Sequence, residues 1–452
     1  MLLLLLALLP VELPPDRVRV VWDRAATPSL EPSARRLDME LERALPWLEA
    51  WTGRGLRPDV RLTLHLHATV EPYRNALRDA GIARVLDGGA VTLWGTTESH
   101  VVVQPCTTPE YLDAVGQLPE LTLQLALHEL VHQFMERSGA FPTAHQPLWY
   151  AEGMAEALSL RALERLRAET LLAVDARARL HEARDELLAL PELLADAFAA
   201  SGLERRGLAY AQCGSLFAFL DAGDNEPWHA RLRGFEREMH ELPRPGAPAR
   251  RRWSRGRLDQ SLRRHLGDLT ALDAAWRATL EAVDGWRQLE RSAQWHDGAL
   301  VVAAFAWAER ALARAPTVFD EPELRFDFQF LGEPRDVVVF LGTDPRNGLE
   351  LYVGFRGEVT LVANRGIHRD ILACTSVKMG AADRWHGLAL VRRGDLFWIE
   401  LDGAPLFDVA LPDDIDITGR GWGVGVTHGA ARFHGLPARA RSTRAGRVTD
   451  TN

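Results

Sequence analysis

Two rhythms of apolar positions alternate between residue 17 and about residue 105. In "VRVVWD", "VRLTLHLHA", "AVTLWG" and "HVVVQP" the apolar residues form short extended runs, which predicts strands. In "ARRLDMELERALPWLEAW" and "EPYRNALRDAG" they recur at helical spacing. This alternation predicts a small α/β layer. From Pro119 to about Val283 the pattern is helical and rich in Ala, Leu and Arg. The stretch "LPRPGAPARRRWSRGR", residues 242–257, interrupts it with prolines, glycines and basic residues. It is expected to be an exposed loop between helices, the alternative being a patch for an anionic ligand. From about Gly285 the chain turns into apolar strands separated by turn signals such as "GTDPRNG", "RRGD" and "LDG". The expected class is therefore α+β, with a mixed unit over residues 17–283 and an all-β unit over 284–440. A leading stretch, 1–16, and a tail, 441–452, flank them.

The chain has 452 residues, more than one hydrophobic core usually serves. Its 47% hydrophobic and 25% charged residues describe an ordinary globular protein. A net charge of -9 leaves no basic footprint for nucleic acid. Cys106, Cys213 and Cys374 lie far apart and form neither a disulfide framework nor a CxxC pattern. The opening "MLLLLLALLP" is too short to span a bilayer, and no other window reaches the roughly 20 apolar residues that a spanning helix needs. It reads as the h-region of a signal peptide, which predicts a secreted or periplasmic protein. The alternative is a short buried segment in a cytoplasmic one.

The stretch "LALHELVHQF", residues 125–134, carries the chemistry. Residues four apart share a helix face, so His128 and His132 can offer two imidazole nitrogens to one ion, with Glu129 beside them. A catalytic zinc takes three protein ligands and keeps one position open. Twenty residues after His132, Glu152 stands in "PLWYAEGMAEAL", which predicts the first turn of a following helix. An intervening turn at "SGAFPTAHQP" would let the two helices pack antiparallel and bring Glu152 over the histidines. Glu129 then suits the role of general base. Glu156, one turn beyond Glu152, is a candidate partner for the second nitrogen of a ligating histidine.

"HELVHQF" followed by "WYAEGMAEAL" resembles the gluzincin metallopeptidases, the group of thermolysin and the zinc aminopeptidases, and especially their bacterial peptidase MA-like members. The resemblance implies a thermolysin-like fold of a small sheet plus a helical subdomain over residues 17–283. It implies one Zn²⁺ held by His128, His132 and Glu152, Glu129 as general base, and a peptide or protein substrate. The stretch "LAYAQCGSLFAFLD", residues 208–221, is similar to the family's downstream helix that begins with a tyrosine, making Tyr210 a candidate oxyanion donor. The segment "LDQSLRRHLGDLTALDAAWRATL", residues 258–280, looks like the closing helices. The region "GGAVTLWGTTESHVVVQP" lacks the Gly-x-Met-Glu-Asn element of the aminopeptidases, so endopeptidase action is expected, with one strand serving as an edge for an extended peptide.

The C-terminal part resembles a concanavalin-type lectin/glucanase jelly roll, on "GWRQLERSAQWHDGALVV", "ELRFDFQF", "WHGLALVRRGDLFWIELDGAPLFDV" and "ARFHGLPARA". The pattern of "LALVRRGDLFWIELDG" itself predicts a hairpin of half-buried strands. It lacks the E-x-D-x-x-E strand motif of the catalytic members, so a carbohydrate- or protein-binding, spacing or stabilising role is expected. Trp385, Trp398 and Trp422 are read as core residues, with sugar stacking as the alternative. A non-catalytic glycan- or protein-binding protein on a structural or degenerate gluzincin scaffold is the competing whole-chain reading. Glu129 is a residue that a mere scaffold has no need of.

Overall fold

A computed structural model describes residues 17–82, 90–93, 96–102, 118, 120–139, 147–167, 170–195, 203–241, 255–280, 287–290, 293–296, 298–304, 310–318, 323–331, 335–344, 347–366, 368–380, 384–393, 396–412, 415, 417 and 421–436. The opening stretch 1–16, the tail 441–452 and Cys106 lie outside them.

The first part is built on a four-stranded sheet ordered β1-β2-β4-β3, from β1 (Val18–Val21), β2 (Leu62–His67), β3 (Ala90–Thr92) and β4 (Glu98–Val102). The first, second and fourth strands run parallel, and β3 pairs antiparallel with β4 at one edge. Strict alternation in "LTLHLH" turns Leu62, Leu64 and Leu66 into the main core and Thr63, His65 and His67 to the other face. Helices α1 (Glu31–Thr52) and α3 (Glu120–Arg137) share that core with the leucines. On the other face, α2 (Val70–Asp79) packs Tyr73 and Leu77 against Val102.

Helix α3 is buried on nearly every side, as its apolar sequence requires. The helical part continues through α4 (Leu148–Leu166), α5 (Leu171–Glu182), α6 (Leu190–Leu194), α7 (Leu203–Asp221), α8 (Trp228–Glu241), α9 (Arg255–Leu266) and α10 (Leu269–Arg277). The interruption expected over 242–257 ends sooner than its composition suggests, because α9 starts at Arg255; residues 242–254 lie outside the described ones. The "RGRLDQSL" start of that helix carries good helix formers, whose propensity prevails over the basic run before it.

From Arg287 to His434 the chain forms two seven-stranded sheets. One comprises β5 (Arg287–Glu290), β8 (Arg310–Val318), β10 (Asp336–Asp344), β11 (Asn347–Gly354), β12 (Glu358–Arg365), β13 (His368–Ser376) and β17 (Gly421–Thr427), ordered β13-β12-β11-β10-β17-β8-β5. The other comprises β6 (Ala293–His296), β7 (Ala299–Ala303), β9 (Glu323–Leu331), β14 (His386–Arg393), β15 (Leu396–Leu401), β16 (Ala404–Ala410) and β18 (Ala430–His434), ordered β16-β15-β14-β9-β18-β7-β6. The pairings within both are antiparallel. Between them lies one core that includes Phe328, Val339, Leu351, Phe397 and Trp422. This is a jelly-roll type β-sandwich. The hairpins read from "RRGD" and "LDG" are those joining β14 (His386–Arg393) to β15 (Leu396–Leu401) and β15 to β16 (Ala404–Ala410).

The two parts are more than neighbours on a string. Val301 and Ala303 of β7 (Ala299–Ala303) and Ala430 of β18 (Ala430–His434) belong to the core of the helical part, and Leu171 belongs to the sandwich core. The backbone N–H of Glu120 donates to Gln294 Oε1 across the seam, 3.2 Å away.

Candidate metal centre

Helices α3 and α4 pack antiparallel: His132 and His128 face Glu152, His128 faces Glu156, and Gln124 faces Glu156 and Ser159. The sequence places Glu152 in a first turn, but α4 starts at Leu148 behind Pro147, so Glu152 opens the second turn. The first turn of α4 has no acidic residue.

Three ligand atoms converge. His128 Nε2 lies 3.1 Å from His132 Nε2 and 3.2 Å from Glu152 Oε2, and His132 Nε2 lies 3.6 Å from the same oxygen. An ion bound tetrahedrally at about 2.0–2.1 Å has ligands about 3.3–3.4 Å apart, which is the mean edge of this triangle. Protons do not satisfy it. A single hydrogen on His128 Nε2 can serve only one of its two contacts, to Glu152 or to His132, whereas a cation at the centre attracts all three ligand atoms at once. The residues present therefore fit a tetrahedral metal with one position to spare.

The electrostatics show the same demand for positive charge. Burial works to lower the His128 pKa, yet hydrogen bonds to Glu152 and Glu156, with the charges of Glu152 and Glu129, carry it well above 6.5. Burial works to raise the Glu152 carboxyl, but the two imidazoles hold it well below the usual carboxylate range. Side-chain exposures of 10% for His128 and 13% for Glu152 leave the triangle narrowly open to solvent.

Glu129 is 5% exposed and stands between the triangle, whose charges act on it, and the sheet. Thr92 Oγ1 donates to its Oε2 at 2.6 Å, and Thr92 and Ser99 share a further bond of 2.7 Å. Gln133 on α3 bonds Ser99 and, at 3.0 Å, the carbonyl of Thr63. The sheet edge thus fixes one carboxylate oxygen of Glu129. Burial pushes the Glu129 pKa up, while His128, His132 and the Thr92 bond pull it part of the way back.

Glu156 Oε2 is 3.4 Å from His128 Nδ1. Gln124 Nε2 donates to the same oxygen at 3.0 Å. Neither Gln124 nor Thr92 was among the candidates read from sequence. Gln124 carried a signal, since it stands four residues before His128 on the same face; Thr92, 37 residues from Glu129, carried none.

Helix α4 is backed by α7 at very close range. A Cβ on Gly153 would sit 2.6 Å from the Cys213 carbonyl oxygen, and one on Gly214 would sit 2.7 Å from Glu156 Cγ. Tyr210, four residues before Gly214, is half-buried against the core of the helical part. It does not begin its helix, which starts at Leu203, because the residues before it, "LERRG", are mostly strong helix formers.

A second polar site lies on the outer face of the β5-to-β13 sheet. Glu350, 1% exposed, accepts from Arg310 at 2.7 Å and from the Tyr352 hydroxyl at 2.6 Å, and Arg369 donates to that hydroxyl at 2.7 Å. A cleft of roughly 1360 Å³ opens beside them. Burial and the Glu350 charge push the Tyr352 pKa up to about 12. Of the tryptophans, Trp422 is a core residue as expected. Trp398 is half-buried and donates to Glu400 at 3.0 Å. Trp385 departs from the core reading: it is exposed, with Arg432 5.5 Å from its ring centre. Cys213 is buried and Cys374 exposed. Among the described residues no helix is long and apolar enough to cross a membrane.

No protein-family model matches the chain, and no curated protein matches it significantly. Solved structures do align. A carbohydrate-binding module from Bacillus subtilis shares 15% identity over 34% of this chain and 93% of its own, with a TM-score of 0.30. A Bacillus subtilis protein of unknown function with a galectin-like fold shares 17% over 34% and 88%, with a TM-score of 0.28. A β-glucanase from Bacillus licheniformis shares 12% over 34% and 90%, with a TM-score of 0.26. The C-terminal region resembles a galectin- or concanavalin-like β-sandwich, a likeness of fold alone.

Proposed function

We propose that the chain is a zinc-dependent peptidase of gluzincin type, acting as an endopeptidase outside the cytoplasm, with the β-sandwich as a binding or targeting module. The convergence of His128, His132 and Glu152 at 3.1, 3.2 and 3.6 Å carries this reading. Those residues would hold the ion, and Glu156 and Gln124 would orient His128 from behind. Bound zinc supplies Lewis acidity, acidifying water and polarising a scissile carbonyl. Thr92 holds Oε2 of Glu129, so Oε1 is available to take a proton from the attacking water and hand it to the departing amine as the C–N bond breaks. Burial raises the Glu129 pKa toward the working pH, which favours both transfers. Tyr210 is the candidate donor to the developing oxyanion. Among the described strands β3 is the sheet edge nearest Glu129, which makes it the place for an extended substrate to pair.

The test is Glu129→Gln beside His128→Ala, assayed on a peptide library with zinc measured by mass spectrometry. Glu129→Gln should keep its zinc and lose hydrolysis by about 10²-fold or more, and His128→Ala should lose one zinc per chain. Unchanged hydrolysis in Glu129→Gln would sink the assignment. The cleft beside Glu350 favours a second reading, a glycan- or protein-binding protein whose metal is purely structural. A zinc-loaded wild type that cleaves nothing in the library yet binds a glycan array would decide for it.

A further inference from the structure

The four-stranded sheet carries a second set of metal-ligating side chains, on the face turned away from α3. Parallel pairing sets His65 beside His100 and Thr63 beside Glu98, and the two-residue period puts His65, His67, Glu98 and His100 all on that face. Ser99, between Glu98 and His100, points through to the Thr92–Glu129 side, so the sheet itself separates the two clusters.

One ligand atom from each of His65, Glu98 and His100 lies within 4.8 Å of the other two. His65 Nε2 is 3.9 Å from Glu98 Oε1, too long for a hydrogen bond, and that nitrogen is buried with no hydrogen-bond partner. The His65 and His100 rings stack with centres 4.7 Å apart, and His67 Nε2 lies 3.0 Å from His100 Nδ1. Three imidazoles in contact are poor packing material for a sheet face: they repel when charged, and when neutral the His67–His100 bond still leaves His65 Nε2 without a partner.

We infer that His65, Glu98 and His100 form a second divalent-metal site, taking a borderline transition ion such as Zn²⁺, Ni²⁺ or Cu²⁺, with His67 orienting His100. Imidazole nitrogens with one carboxylate select this class over Mg²⁺ or Ca²⁺, which prefer all-oxygen sets. An ion bound at about 2.0–2.2 Å draws its ligands to about 3–3.5 Å apart. The 3.9 Å edge closes to that by small side-chain rotations, which the partly exposed His65 and Glu98 are free to make. With His100 ligating through Nε2, its Nδ1–H donates to His67 Nε2, the outer partner that ligating histidines generally possess. An ion here clamps β2 to β4.

The test counts metal. Protein stripped by chelator is dialysed against Zn²⁺ and, separately, Ni²⁺, and its metal is measured for the wild type, His65→Ala/His100→Ala, His128→Ala/His132→Ala and the quadruple variant, with circular dichroism to check the fold. Two equivalents in the wild type, one in each pair variant and none in the quadruple variant are expected. One equivalent in the wild type with none in His128→Ala/His132→Ala, or an undiminished count in His65→Ala/His100→Ala, overturns the site. Imidazole NMR of the wild type covers the case of a variant that does not fold: the second equivalent must shift His65 and His100, and unmoved resonances refute the inference. The peptidase reading concerns the other pair, so each can fail alone.

Discussion

Gly153→Ala tests whether the contact between α4 and α7 positions Glu152. On helix propensity alone this substitution stabilises, since alanine is favoured over glycine in a helix by about 0.8–1 kcal/mol. Packing opposes it. The new Cβ would stand 2.6 Å from the Cys213 carbonyl oxygen and 2.9 Å from its carbon, against an ordinary contact of about 3.4 Å or more, so the helices must part locally by about 0.8 Å. The obstacle is backbone and does not rotate away. Overpacking of this kind costs about 1–3 kcal/mol, so the net effect is a loss of up to about 2 kcal/mol and, for 452 residues melting together, a Tm lower by up to about 2 °C. Zinc feels it more. Metal geometry tolerates about 0.2 Å, and Glu152 is the adjacent residue, so zinc affinity should fall at least about tenfold. Gly207→Ala is the control: it lies exposed on α7 with nothing within 4 Å of its Cβ, and it should stabilise by up to about 1 kcal/mol. Calorimetry and competitive zinc titration read both quantities. A Gly153→Ala protein with wild-type Tm and zinc affinity would refute the reasoning.

Glu156→Ala should lower zinc affinity at this centre about 10- to 100-fold while leaving the centre filled at saturation; an affinity equal to wild type would remove Glu156 from the centre. Glu120, at the seam, is raised to about 7 by burial, against three hydrogen bonds to its Oε2 from Thr170, Leu171 and Leu172 that oppose the shift. Between pH 4.5 and 7 its folded form binds the extra proton, so stability falls as pH rises through that window, by about 3 kcal/mol in all, and is level above it. Glu120→Gln should abolish that slope in urea unfolding at pH 5 and pH 8; a slope of wild-type size in the variant counts against the assignment.

The candidate centre was largely legible because its carriers sit within about thirty residues on two helices, where the period of 3.6 converts spacing into shared faces. His128, Glu129, His132, Glu152 and Glu156 follow from that arithmetic. Thr92 does not, because its approach to Glu129 depends on β3 reversing beside β4. The cluster of His65 and His100 was hidden for the same reason: "LTLHLH" shows alternation, but its pairing with β4 depends on strand order. Helix starts were the weakest readings. Glu152 and Tyr210 both lie further into their helices than their sequence context suggests, since good helix formers extend a helix past its apparent signals. In the sandwich, turn residues marked the hairpins, whereas the joining of β17 to β8 and β10 carries no local signal. Glu350 looked like any polar residue of an alternating strand, until its burial required partners.

The seam through Val301, Ala303, Ala430 and Leu171 gives the molecule a shared fate. Severing the chain between residues 283 and 284 would leave each half with an apolar scar where the other had been, inviting precipitation. Heat or denaturant acting on one half would deprive its neighbour of packing, so melting should pass as a single event. Whatever seizes the sandwich also grips the body that holds the histidines, because the two are packed into each other's cores.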